Sequence, residues 1–115
     1  MIRIGLKREP YWIDLPYGVR LHVSPATTAF VMAARVQTLR DSQETDDPTA
    51  RSAALLKNLA VLAIMEWEGV GDSDGNPAEV TPEAVRAFMD LWPMANAFEE
   101  LYLTPALVLE QEKNV

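Results

Sequence analysis

Residues 48–67, P-T-A-R-S-A-A-L-L-K-N-L-A-V-L-A-I-M-E-W, decide how the rest of the chain is read. Asp47 offers a carboxylate to the unpaired amides of a first helical turn, and Pro48 stands where its missing N–H has no helical partner to lose. Beyond them Ala53, Leu55, Leu56, Leu59, Ala60, Leu62, Ala63, Ile64 and Met65 spread apolar side chains over well over half of the helical circumference, wider than the single stripe of a surface helix. Such a helix needs neighbours on several sides. The pattern therefore predicts one long, mostly buried helix over 48–67 with the remaining elements packed around it. Lys57 and Asn58 break the run, which falls short of the roughly 20 consecutive apolar residues of a membrane span.

Before this helix lie three strand-like pieces, I-R-I-G-L, Y-W-I-D-L and V-R-L-H-V. In the last, Val19, Leu21 and Val23 alternate with Arg20 and His22, the period of a half-buried strand. Leu15-Pro16-Tyr17-Gly18 has the residues of a turn, so a hairpin is predicted over 11–23. Residues 3–6 are the candidate third strand, because three strands against a helix are far more stable than a hairpin alone. Ser24-Pro25 repeats the cap-and-proline signal and predicts a helix over 25–41. Its expected buried stripe is Ala29, Met32, Val36 and Leu39, widened by Phe30 and Ala33. The polar run D-S-Q-E-T-D-D ends it.

After residue 67 the stretch E-G-V-G-D-S-D-G-N-P-A-E-V is the main break in the chain. Thr81-Pro82 restarts helix, and Val85, Phe88, Met89 and Trp92 have the spacing of one buried face. Pro93 interrupts that face, and Met94, Ala97, Phe98 and Leu101 repeat it, which predicts a corner between two short helices with Pro93 opening the second. Thr104-Pro105 marks a last start, with a short terminal helix in A-L-V-L-E-Q-E-K-N-V. The fold class expected is α+β and mostly α. One domain spans 1–115, with a β-hairpin or small antiparallel sheet in 1–23 and four to five helices in 24–115 around the central one.

At 115 residues the chain is long enough to build a hydrophobic core without staples. It has no cysteine, which excludes disulfides, thiolate metal sites and a cysteine nucleophile. M-I-R-I-G-L-K-R-E-P lacks the apolar run of a secretory signal, so a cytoplasmic location is expected. The net charge of −7 is unevenly placed. Residues 1–57 hold eight Lys/Arg and six Asp/Glu, and residues 58–115 hold two and eleven, so the halves carry +2 and −9. An acidic half repels phosphates, and nucleic acid is not an expected partner.

Asp72, Asp74, Gly75 and Asn76 invite a calcium reading that the spacing rejects. A loop begun at Asp72 puts Pro77 at the glycine position, and one aligned on Gly75 runs from Val70 to Thr81 and loses both end ligands. A plain turn or small hairpin is expected instead. The single histidine, His22, has neither a cysteine nor an acid pair beside it in sequence and reads as surface. Ser24, Ser42, Ser52 and Ser73 lack a nucleophile motif. On a helix, Glu66 with Glu68 and Glu99 with Glu100 do not face each other, so neither pair is an acid/base site. No glycine-rich phosphate loop is present. The reading is of a chain that is not an enzyme and uses no cofactor or metal. Partner-binding candidates are Trp92, Phe98, Tyr102, Leu103, Leu107, Val108 and Leu109. Docking on the chain's own core and exposure as a patch for a partner or for self-association both remain open for them.

Several stretches together resemble a family. A short hairpin is followed by H-V-S-P-A-T-T-A-F-V-M-A-A-R, then by I-M-E-W-E-G-V-G-D-S-D-G-N-P and by F-E-E-L-Y-L-T-P-A-L-V-L-E-Q-E-K-N. This order is similar to the tail assembly chaperones of long-tailed phages, prophages and gene transfer agents. The most specific part is I-x-x-W-x-G-V-x-D-x-D-G, here Ile64 to Gly75, with the Tyr102-x-x-Pro105 step and the Glu112-Lys113-Asn114 ending in support. The resemblance implies a non-catalytic assembly factor that accompanies the tape measure protein, helps tail tube subunits polymerise around it, and is absent from the finished particle. In many members of that family a ribosomal frameshift near the end of the short product makes a longer form. The alternative is a structural or adaptor subunit that stays in a phage-like particle.

Overall fold

Alternation of apolar and polar residues builds the sheet. The computed structural model describes residues 9–41 and 47–105. Strand β1 (Tyr11–Asp14) pairs antiparallel with β2 (Arg20–Val23), with Tyr11 opposite Val23 and Asp14 opposite Arg20. Between them Pro16–Gly18 forms a 3₁₀ turn closed by the Leu15 amide, which donates to the Val19 carbonyl at 2.8 Å. Both Tyr17 and Gly18 are left-handed there, at φ 64° and 73°. Glycine adopts that conformation freely; tyrosine does so at a cost. Ile13, Leu15, Val19, Leu21 and Val23 all point into the core.

Helix α1 (Thr28–Asp41) and helix α2 (Pro48–Ala63) follow. Asp47 caps α2 as expected, its carboxylate accepting from the Thr49 amide. The helix expected over 48–67 ends early, however. Ile64 leaves helical geometry at φ −76° and ψ 116° while its amide still bonds the Ala60 carbonyl. The chain then runs straight into β3 (Ile64–Glu68). This strand pairs antiparallel with β2, giving the order β1-β2-β3. The free edge of β2 offers a ladder of unpaired backbone groups, and β-branched Ile64 and aromatic Trp67 suit a pleated surface, so pairing overrides the helical pattern. Register slips between His22 and Val23, which face Glu66 and Ile64, and Met65 is the extra residue of a bulge. Region 24–115 is therefore not all helical. The candidate strand at 3–6 lies outside the described residues.

Ser24-Pro25 does not open a helix. The Ser24 amide instead donates to the Ala63 carbonyl at 2.9 Å, which extends the ladder by one step. Helix α1 starts three residues later than expected, with Thr27 Oγ1 accepting from the Phe30 amide at 3.3 Å. Its expected buried stripe is also corrected. Only Ala34 and Thr38 are buried on α1, Phe30 is half-buried, and Ala29, Met32, Ala33, Val36 and Leu39 are exposed. A polar network sets that rotation. Thr38 donates to the Ala34 carbonyl. Buried Asn58 on α2 donates to Thr38 Oγ1 at 3.0 Å and to Asp41 Oδ2 at 3.4 Å, and it accepts from Arg86 at 2.9 Å. With its polar groups satisfied this way, α1 lays its small face on α2 and turns its large apolar side chains outward. Helix α2 itself is buried only in its second half, at Asn58, Leu59, Ala60 and Ala63; Ala53 and Leu62 are exposed, and Leu55 and Leu56 are half-buried.

Helix α3 (Pro82–Met89) begins as expected, with Thr81 Oγ1 accepting from the Ala84 amide. Val85, Phe88 and Met89 are buried, but Trp92 is not on that face. The chain turns at Asp90 and Leu91, and α4 (Trp92–Phe98) opens with Pro93 in its first turn, the corner that Pro93 predicts. Helix α4 continues into a π turn, Glu99–Leu103, whose wide bond runs from the Thr104 amide to the Glu99 carbonyl. That extra residue moves Leu101 outward and brings Tyr102 inward. Thr104 and Pro105 are themselves helical and follow directly on the π turn, and the rest of the expected terminal helix lies outside the described residues. The fold is α+β, with a three-stranded antiparallel sheet and four helices around one core.

Candidate functional site: two exposed apolar faces

The residues singled out for partner binding divide. Trp92 is exposed at the start of α4. Phe98 and Tyr102, by contrast, belong to the core: their rings stack at 4.8 Å, and the Tyr102 hydroxyl donates to the Ser24 carbonyl at 2.7 Å. Tyrosine is buried with its hydroxyl paired, as its chemistry requires. Leu103 is half-buried at the end of the π turn. Leu107, Val108 and Leu109 lie outside the described residues.

An exposed apolar face on α1 was missed as a site. On α1, Met32 is 50% exposed, Val36 45% and Leu39 64%. With exposed Ala29 they recur at i, i+3, i+7 and i+10, the seam spacing by which one helix receives another. An open groove of about 260 Å³ between α1 and α2 adjoins it, lined by Arg35, Thr38, Leu39, Arg51, Ser52 and Leu55. The 29-32-36-39 spacing was visible in the sequence. What it could not tell was whether the stripe faces the core or solvent, because the Thr38–Asn58 network decides that.

A second face lies at the α3–α4 corner. Leu91 is 58% exposed and Trp92 70%, and Leu91, Pro93 and Met94 border a groove of about 410 Å³ whose far wall is Tyr17 and Val19. Lys57 on α2 is ion-paired with Asp90 at this corner.

The polar residues have local work. Glu66 and Glu68 are on a strand rather than a helix, so both lie on the outer face of the sheet, where Glu66 sits beside His22 and Glu68 beside Arg20. His22 Nδ1 approaches Glu66 at 3.5 Å, a separation at which the two are poorly aligned and Nδ1 has no hydrogen bond. Arg20 bonds Asp14 at 2.7 Å and approaches Glu68 at 3.5 Å; its hydrogen bond to Asp14 raises its already high pKa. Its guanidinium lies 4.9 Å from the Trp12 ring centre, and Trp12 stacks on His22 at 4.8 Å. His22 is thus half-buried beneath a tryptophan rather than free surface. Asp72 Oδ1 accepts from the Asp74 and Asn76 amides at 2.9 and 3.0 Å, and Gly71 bridges Pro77, which makes the expected small hairpin. Among the described residues no three His, Cys, Asp or Glu side chains gather as a metal site would, and none of the helices is long and apolar enough to cross a membrane.

The positions of I-x-x-W-x-G-V-x-D-x-D-G are structural. Ile64 is buried at the start of β3. The Trp67 indole donates to the Ala78 carbonyl at 2.8 Å and packs against Phe88. Gly69 passes against the backbone at Gly18, Asp72 organises the loop, and Gly75 turns it at φ 83°. Comparison with known protein families, with curated proteins and with solved structures finds no match to this chain.

Proposed function

We propose that this chain is a non-catalytic assembly factor of the tail assembly chaperone class, which engages the tape measure and tail tube proteins of a phage-like particle in the cytoplasm of a bacterial host. The observation that carries the reading is the α1 stripe: Met32, Val36 and Leu39 are all exposed, at 50%, 45% and 64%. An apolar seam on an exposed helix face supports transient contact with other chains. The sequence resemblance, strongest over Ile64 to Gly75, supplies the identity of those chains.

The test is co-expression with the neighbouring tape measure and tube genes. A co-purifying complex and a gain in soluble tape measure protein are expected. Loss of both results overturns the proposal. Mass spectrometry of finished particles distinguishes a chaperone, which is absent from them, from a structural subunit, which remains.

A further inference from the structure

We infer that the α1 seam receives an amphipathic helix of another protein whose apolar stripe is flanked by acidic side chains. This rests on reading the chain as a protein-binding factor and adds the chemistry of what it binds. The seam residues Ala29, Met32, Val36 and Leu39 occupy the a and d positions of a heptad frame, which places Arg35 at g and Arg40 at e. Both arginines are exposed, and among the described residues neither is ion-paired. Arg51 on α2 lines the adjoining groove with Arg35.

That basic rim is local. Residues 28–63, which span both helices and the loop between them, hold four Lys/Arg and four Asp/Glu, whereas residues 64–103 hold one Arg and nine Asp/Glu. The flanking charge also selects the occupant. If α1 paired in parallel with α1 of a second copy, Arg35 at g would meet Arg40 at e of the partner copy. In the antiparallel arrangement the two Arg35 side chains would approach each other. Like charges at these positions oppose pairing, and glutamates opposite them favour it. An acidic-flanked helix satisfies both the seam and its rim.

The experiment measures fluorescence anisotropy of two labelled three-heptad peptides titrated with the full chain. Both peptides carry Leu and Ile at a and d; one has Glu at e and g, the other Lys. The Glu peptide is expected to bind, and more weakly as salt rises. The Lys peptide should bind about tenfold more weakly or not at all. The double variant Arg35→Glu with Arg40→Glu should reverse that preference, and Leu39→Lys should abolish binding of the Glu peptide. These positions are exposed, so circular dichroism and Tm should be unchanged.

Equal binding of the two peptides, or binding of neither, overturns the inference. So does a chain that sediments as a dimer and becomes monomeric on Leu39→Lys, which would assign the seam to a second copy. Tighter peptide binding by the full chain carrying Leu107→Ser and Leu109→Ser would assign it to the chain's own C-terminal residues, with the same consequence. If the double arginine variant still captures its tape measure and tube clients as well as the parent does, the inference fails while the chaperone reading stands.

Discussion

Gly69 shows how one residue ties two parts of the fold together. It has φ 79°, and a Cβ there would lie 2.4 Å from the Gly18 carbonyl oxygen, which is backbone and has no rotamer to escape into. Gly75 has a similar φ of 83° but open space around it. Gly75→Ala should therefore cost only the left-handed strain, about 1 kcal/mol, and Gly69→Ala should cost that plus displacement of the hairpin turn, about 3 kcal/mol in all. Urea denaturation of the two variants measures the difference, and equal losses would sink the argument. Tyr102 makes a second prediction at this scale. Burial first, and the proximity of Tyr11 second, push its hydroxyl well above the ordinary tyrosine range. The unfolded chain releases that proton from about pH 10, where the folded chain still holds it. Stability is therefore fully present below pH 10 and is lost as pH rises from there through the folded value. Tyr102→Phe should cost about 1 kcal/mol at pH 7 through the lost bond to Ser24, and it should flatten the decline above pH 10 seen in denaturation curves.

Among the elements, the junction of α2 and β3 was the least legible. Ala60, Ala63 and Ile64 read the same whether the chain continues as helix or changes to strand, because a short apolar run has no period of its own. Only the edge of β2, some 40 residues earlier in sequence, resolves it. The hairpin, the Asp47 and Thr81 caps and the Pro93 corner were legible because each is decided within a few residues. Ser24-Pro25 carried the same signal as those caps and misled, since the Ser24 backbone is already engaged by Ala63 and Tyr102. The outward rotation of α1 was illegible for a related reason: its cause, Asn58, is a polar residue in an apolar run. Asn58→Leu should remove the donor to Thr38 Oγ1 and the acceptor of Arg86 and destabilise the fold by about 2–3 kcal/mol despite adding apolar volume. Thermal denaturation checks this. A neutral or stabilising result would mean that the network does not hold α1 in place.

For the whole molecule, the sheet forbids dividing the chain into a hairpin region and an independent helical region. Strand β3 comes from mid-chain and has β2 as its sheet partner. Leu21 and Val23 are fully buried, and they share one core with Ala60, Ala63, Val85 and Phe98. The five apolar side chains that residues 13–23 place in that core are worth roughly 1.5–3 kcal/mol each, or on the order of 10 kcal/mol together. That is comparable to the entire stability of a typical domain, about 5–15 kcal/mol. A fragment of residues 24–115 should therefore be unfolded, with a circular dichroism spectrum far less helical than the parent's and poorly dispersed amide resonances, and adding residues 9–23 as a separate peptide should recover structure in proportion to peptide concentration. A fragment that kept the parent's helicity and a cooperative melt would show that the helices stand without the hairpin. The α1 seam should then still bind its helix, because α1 and α2 would remain packed through Thr38 and Asn58 without the sheet beneath them.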